Sequence, residues 1–227
     1  MAMDDGNNLP KKMVAEFLGT MGFIIAITGS VMLVAKMGFG LPGFLVCGLA
    51  GGLMLFAMIE SFGKISGGHI NPAVTVAMIV SKDISAKDGL CYIIAQIAGG
   101  VVGALLVVIT FYSGTGDIFI PIADHDIPNL MYLAISEFIC VFMLVSLVYC
   151  LVRSGSKKVS LAVGALVGGM IMCTASTFFA NPAVDIARIF VGQVTIVQSL
   201  VYIVMAMIAA IVAAFVMAWL YPKENSA

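Results

Sequence analysis

The sequence predicts an all-α integral membrane protein in which six transmembrane helices and two re-entrant half-helices form an inverted repeat. Three observations carry this. The 227 residues are 62% hydrophobic and 10% charged, against about 45–50% apolar and about 25% charged in soluble domains. Six stretches reach the length of about 20 apolar residues that a helix needs to cross a bilayer. The tetrapeptide Asn-Pro-Ala-Val occurs twice, at 71–74 and 181–184, after the second and the fifth of those stretches.

The elements follow in order. A polar tail, 1–12, with Asp4, Asp5, Lys11 and Lys12, precedes the first stretch, 14–35. That stretch is too long for a signal-peptide core and shows no cleavage site, so it reads as an uncleaved helix. The others are 41–62, 89–111, 130–151, 159–178 and 197–220. The chain reads as one domain: tail 1–12, first repeat 13–111, extracellular connecting loop 112–129, second repeat 130–221 and tail 222–227. With the N-terminus inside, nine of the eleven Lys and Arg are cytoplasmic and only Lys36 and Arg188 lie outside. The excess of basic residues belongs on the cytoplasmic side, so both termini are expected there, in a plasma or prokaryotic inner membrane. A net charge of −1 gives no footprint for nucleic acid. Cys47, Cys91, Cys140, Cys150 and Cys173 all fall in predicted spans without metal-ligand spacing and read as packing residues. Ala95, Gly99 and Gly103, and likewise Ala206, Ala210, Ala214 and Ala218, recur every four residues, the pattern of close helix contacts.

Each Asn-Pro-Ala starts a helix: Asn is a good N-cap, and Pro suits the first turn because its missing N–H would be unpaired there. The helices that follow, 72–80 and 182–190, are about 14 Å long at 1.5 Å per residue, half a span. Non-helical backbone at membrane depth is tolerated only where it is buried in protein or lines a cavity, so a pore is the economical explanation. Three helices per half is an odd number, which gives the halves opposite topology. Each half also carries a Glu-Phe pair, Glu16-Phe17 and Glu137-Phe138. The half-helices then enter from opposite faces, and Asn71, Pro72 and Ala73 meet Asn181, Pro182 and Ala183 near the midplane. Two positive helix ends and two amide donors converge there, an arrangement that repels cations and orients a hydroxyl oxygen.

At these residues the chain resembles the aquaporin (major intrinsic protein) family. The run Ser66-Gly67-Gly68-His69-Ile70-Asn71-Pro72-Ala73-Val74-Thr75 matches that family's first signature, and the resemblance extends over Glu16, Gln96, Glu137 and all six spans. It implies the aquaporin fold and a passive channel for water and small neutral solutes, with one pore per subunit of a homotetramer in the lipid bilayer. It implies no enzyme activity and no cofactor. In that family a four-residue constriction stands on the extracellular side. Counted from Asn71 and Asn181, its places hold Gly51, Gly169, Phe178 and Val184, the last where the family has Arg. Gly169 and Phe178 look like the glycerol-conducting members, and Gly51 looks wider still. The Asn-Pro-Ala-Val-x-x-Ala-Arg pattern resembles a branch associated with arsenic resistance, which implies arsenous acid as a permeant.

Other polar residues have two readings each. Arg188, one turn beyond Val184, is either a displaced selectivity arginine at the outer mouth or a structural residue, paired with Asp185 or clamping a carbonyl of the loop. Glu16 and Glu137 are expected to accept hydrogen bonds from the re-entrant loops, with His69 and Gln96 as further loop support; a proton relay is the alternative. Glu60 is expected to pair with Lys64 at the interface; the alternative places it on the inner vestibule, where it would make entry pH-sensitive. Asp117, Asp124, His125 and Asp126 share the connecting loop, where a metal site is not expected. The rival functions are an ion-coupled secondary transporter, since inverted repeats and broken helices are shared with such proteins, and a scaffold protein with a closed pore.

Overall fold

The computed structural model describes residues 8–40, 42–111 and 130–222. Eight helices run through them: α1 Leu9–Met37, α2 Pro42–Ser66, α3 Pro72–Val80, α4 Ala86–Phe111, α5 Leu130–Arg153, α6 Val159–Cys173, α7 Pro182–Ile189 and α8 Ile196–Leu220. The connecting loop with Asp117, Asp124, His125 and Asp126 lies outside the described residues.

Local sequence explains the helix ends. Asn8 caps α1, with Pro10 in the first turn, and Gly38 closes it in the left-handed conformation at φ 65°. The chain therefore becomes helical inside the stretch expected to be a polar tail. Thr195 and Gln198 form a reciprocal capping box at the start of α8. Five helices (α1, α2, α4, α5 and α8) are long and apolar enough to cross a membrane. The sixth, α6, has 15 residues, about 22 Å of helix, and stops at Cys173 where the sequence reading ran to 178. At that point Thr174 turns extended, and Thr177, Phe178 and Ala180 take positive φ, so the apolar residues after Cys173 are loop.

Packing repeats across the two halves. α1 lies against α2 and α4, as α5 lies against α6 and α8. Each half-helix packs on the last long helix of both halves, α3 on α4 and α8, α7 on α8 and α4, while α2 and α6 join the halves directly. The seams are made by small residues. Gly99 and Gly103 of α4 sit against the carbonyls of Phe17 and Met21 on α1, and Gly48 and Gly52 of α2 face Gly164 and Gly168 of α6. Ala206, Ala210 and Ala214 are buried on α8, with Ala209 and Ala213 beside them, while Ala218 is exposed near the helix end. Much of the outer surface is large and apolar, from Leu53 on α2 to Ile109 on α4 and Phe215 on α8. This is the surface of a protein solvated by lipid tails.

Gly99 has no room for a side chain, because the obstacle is the Phe17 backbone and not a movable side chain. Gly99→Val is expected to destabilise the protein by about 1–3 kcal/mol through overpacking, read as a lower melting temperature in detergent. Gly29→Ala, whose new Cβ would meet its neighbours at 3.8–4.0 Å, is expected to be neutral or slightly stabilising in the same assay.

Candidate pore and its midplane

The two Asn-Pro-Ala segments adopt the same backbone. Asn71 is extended at φ −155° and its side chain accepts from Ala73 N at 2.8 Å; Asn181, at φ −152°, accepts from Ala183 N at 3.0 Å. The residues immediately before them, Ile70 and Ala180, are left-handed at φ 52° and 34°, and so are the third and fourth residues before each Asn. In the first loop those places hold Gly67 and Gly68, which adopt positive φ freely. In the second they hold Thr177 and Phe178, which do not, so the backbone there is held in a strained conformation.

Two buried carboxylates hold these loops. Glu16 accepts from His69 N at 3.0 Å and Ile70 N at 2.6 Å, and also from Ser66 Oγ at 2.5 Å and Gln96 Nε2 at 2.7 Å. Glu137 accepts from Phe179 N at 3.1 Å and Ala180 N at 2.5 Å. The same two backbone donors are therefore captured in each half. His69 Nδ1 lies 3.1 Å from Thr75 Oγ1, and Gln96 Nε2 reaches the same hydroxyl at 3.0 Å. His69, Thr75, Gln96 and Glu16 thus form one network behind the first loop.

The half-helices meet through their asparagines. Asn71 Nδ2 donates to Ala180 O at 2.8 Å, and Asn181 Nδ2 donates to Ile70 O at 2.9 Å. Each amide thereby ties down the backbone in front of the other. An amide nitrogen carries two hydrogens, so one N–H on each side chain is left over. Both asparagines line a cavity of about 210 Å³ whose wall is otherwise largely Val, Leu, Ile and Met, with Phe178, three residues before Asn181, and Asp83 also on the wall. Asp83 is held by Arg153, with both carboxylate oxygens at 2.9–3.0 Å from Nη2.

The four counted constriction positions do not behave alike. Phe178 is on the cavity wall. Gly169 faces open space, with nothing within 4 Å of an added Cβ. Gly51 does not: a Cβ there would stand 2.8 Å from both Ile27 Cγ2 and Ile171 Cδ1, so the width expected from this glycine is filled by neighbours. Val184 is 1% exposed and outside the wall of this cavity. Arg188 is also buried. Its guanidinium lies 4.6 Å from the Phe179 ring centre and Nη2 is 3.5 Å from Ile27 O. Asp185 is fully buried, and its carboxylate has no hydrogen-bond partner among the described residues, Arg188 included. Glu60, expected to pair with Lys64, instead accepts from Ser160 Oγ at 2.6 Å across the α2–α6 seam. That partner is 100 residues away and has no local signature. The α2–α6 glycines were also missed, although their spacing of four was readable.

A lumen whose wall carries two converging half-helix ends, and whose surroundings are lipid, defines a membrane channel for small molecules. The comparisons with known proteins agree. The major intrinsic protein family model matches residues 6–178. The chain is 32% identical over 184 residues to aquaglyceroporin AqpS of Rhizobium meliloti, covering 81% of this chain and 77% of that one. It is 34% identical over 186 residues to aquaporin TIP1-2 of Zea mays, covering 77% and 72%. The aquaglyceroporin structure from Plasmodium falciparum superposes with a TM-score of 0.68 at 23% identity, over 96% of this chain and 98% of that one, which shows the fold. The chain belongs to the major intrinsic protein family, and it is a multi-pass membrane channel for water and small solutes, not an enzyme. The coupled-transporter and scaffold readings are not favoured.

Removing the acceptor behind the second loop tests the support geometry. Glu137→Leu leaves two buried N–H groups unpaired, at about 1–3 kcal/mol each, and is expected to lower both the melting temperature and the water flux of proteoliposomes. Glu137→Gln keeps one acceptor oxygen and is expected to fall between Leu and wild type in both measurements.

Proposed function

We propose that the channel conducts glycerol-sized polyols as well as water, that Asn71 and Asn181 orient the permeant, and that Phe178 and Gly169 belong to its narrowest part. The observation that carries this is the pairing of one free amide N–H from each asparagine with a largely apolar wall. A polyol has one edge of hydroxyls and one of carbon, so it can accept hydrogen bonds from the amides while its C–H edge slides on Val, Leu and Phe side chains. Water uses the same donors. Phe178 supports the reading in a second way, because a left-handed aromatic residue is strained, and strain of this kind collects at functional sites. The relative from Rhizobium meliloti is named an aquaglyceroporin, which agrees with a polyol permeant here. Arsenous acid, a neutral trihydroxylated molecule, fits the same wall and is proposed as a further permeant.

Arg188 is proposed as a strut that fastens α7 to α1 and to the loop, since its guanidinium lies over the Phe179 ring and its Nη2 reaches toward Ile27 O. The assembly is proposed to be a homotetramer in a cell membrane with both termini cytoplasmic, as the basic residues predict.

Stopped-flow light scattering of proteoliposomes tests the permeant. The wild type is expected to exceed empty liposomes for both water and glycerol. Gly169→Leu, which adds a side chain into open space, is expected to cut glycerol flux more than water flux. Equal reduction of both, or no reduction, would contradict the place given to Gly169.

A further inference from the structure

We infer that Thr174, which caps α6, and Ser136, on α5, are positioning residues that hold Phe178 on the lumen wall and so set the balance between glycerol and water; this rests on the place given to Phe178 above. Every backbone N–H from Ser176 to Ala180 has a partner. Ser176 N donates to Ser136 Oγ at 3.2 Å, Thr177 N to Thr174 O at 3.0 Å and Phe178 N to Thr174 Oγ1 at 3.1 Å. Phe179 N and Ala180 N donate to Glu137. The carboxylate takes the two donors next to Asn181, and Thr174 and Ser136 take the three before them.

The first loop meets the same demand with easier residues. Gly67 N donates to Gly63 O, and Gly68 N to Ser66 Oγ at 3.1 Å, a hydroxyl that itself donates to Glu16. Thr174 therefore does for Phe178 what Ser66 does for Gly68, three residues before the asparagine in each half. The difference lies in the residue being held. Gly68 adopts its left-handed conformation freely, whereas Thr177 and Phe178, both at φ 54°, stay there only while their surroundings hold them. Phe178 also stands on the cavity wall, so a change in its backbone moves part of the lumen.

Thr174 opposes that change. Its hydroxyl donates to Met170 O at 2.7 Å, in the last turn of α6, while it accepts from Phe178 N. The N–H of the strained residue is thereby fastened to the end of a packed helix. Ser136 fastens the chain two residues earlier to α5, where its Oγ also lies 2.9 Å from the Ser176 hydroxyl. A hydroxyl carries one hydrogen and two lone pairs, so one side chain serves both directions. Valine has the shape of threonine and neither function. Without the hydroxyl, Phe178 N is paired again only if the peptide turns, and turning it carries the ring away from its place.

Stopped-flow light scattering of proteoliposomes tests this, with water and glycerol measured on Thr174→Val, Thr174→Ser, Ser136→Ala, Phe178→Ala and the double variant Thr174→Val/Phe178→Ala. The glycerol-to-water flux ratio is expected to rise several-fold in Phe178→Ala and in Thr174→Val and to stay at the wild-type level in Thr174→Ser. In the double variant it is expected to rise no further than in Phe178→Ala alone. That comparison separates positioning from general support, because a residue that acts through another is not additive with it. Ser136→Ala is expected to shift the ratio in the same direction, and it carries the test if Thr174→Val does not fold. A Thr174→Val or Ser136→Ala channel that conducts water with the wild-type ratio overturns the inference, as does a double variant whose shift is the product of the two single shifts. If Phe178→Ala itself leaves the ratio unchanged, the place given to Phe178 falls and the inference falls with it.

Discussion

A peptide group that is not in a helix has no water to turn to at the centre of a bilayer, so every N–H and C=O in the two re-entrant loops must find a partner in the protein. Glu16 and Glu137 meet that demand. Each places a carboxylate against the two N–H groups that immediately precede an asparagine, in a conformation that includes left-handed residues in both loops. Charged acceptors make strong hydrogen bonds, which suits them to hold a backbone that would otherwise relax. Both glutamates are fully buried. They serve as anchors for the two loops, and the remainder of the centre is organised around what they fix.

What they fix is the meeting of two helix ends. Once the loops are held, the cross-loop bonds from Asn71 to Ala180 and from Asn181 to Ile70 join the half-helices at their N-termini. Each helix carries about half a positive charge there, and the cross-loop bonds hold the two ends together against their mutual repulsion. The same convergence makes the spot unfavourable for a cation and favourable for an oxygen lone pair. In this chain that electrostatic feature stands without a guanidinium at Val184, since Arg188 is packed on Phe179 and reaches toward α1.

The first re-entrant loop was more legible in the sequence than the second. Both Asn-Pro pairs announced helix starts, and α3 begins and ends where the pattern placed it. Gly67 and Gly68 supply the left-handed turn of the first loop. The second loop takes the same turn with Thr177 and Phe178, so no glycine set it apart from the apolar helix before it, and the predicted fifth span overran into it. The carboxylates could be paired by their matching positions, but the cross-loop bonds span 109 and 111 residues and have no local signature. Gly51 shows the limit of reading width from residue type: a missing side chain is space only if no neighbour fills it, and here Ile27, Ile171 and Phe23 surround it.

The two half-helix ends and the two asparagine amides are proposed as the barrier to ions. Electrical recording in planar bilayers tests it most directly, using protein whose water flux has been measured in liposomes from the same preparation. The account predicts that wild-type channels carry water while their conductance to protons and sodium stays at the level of protein-free bilayers. Cation currents that scale with the amount of active protein would contradict it.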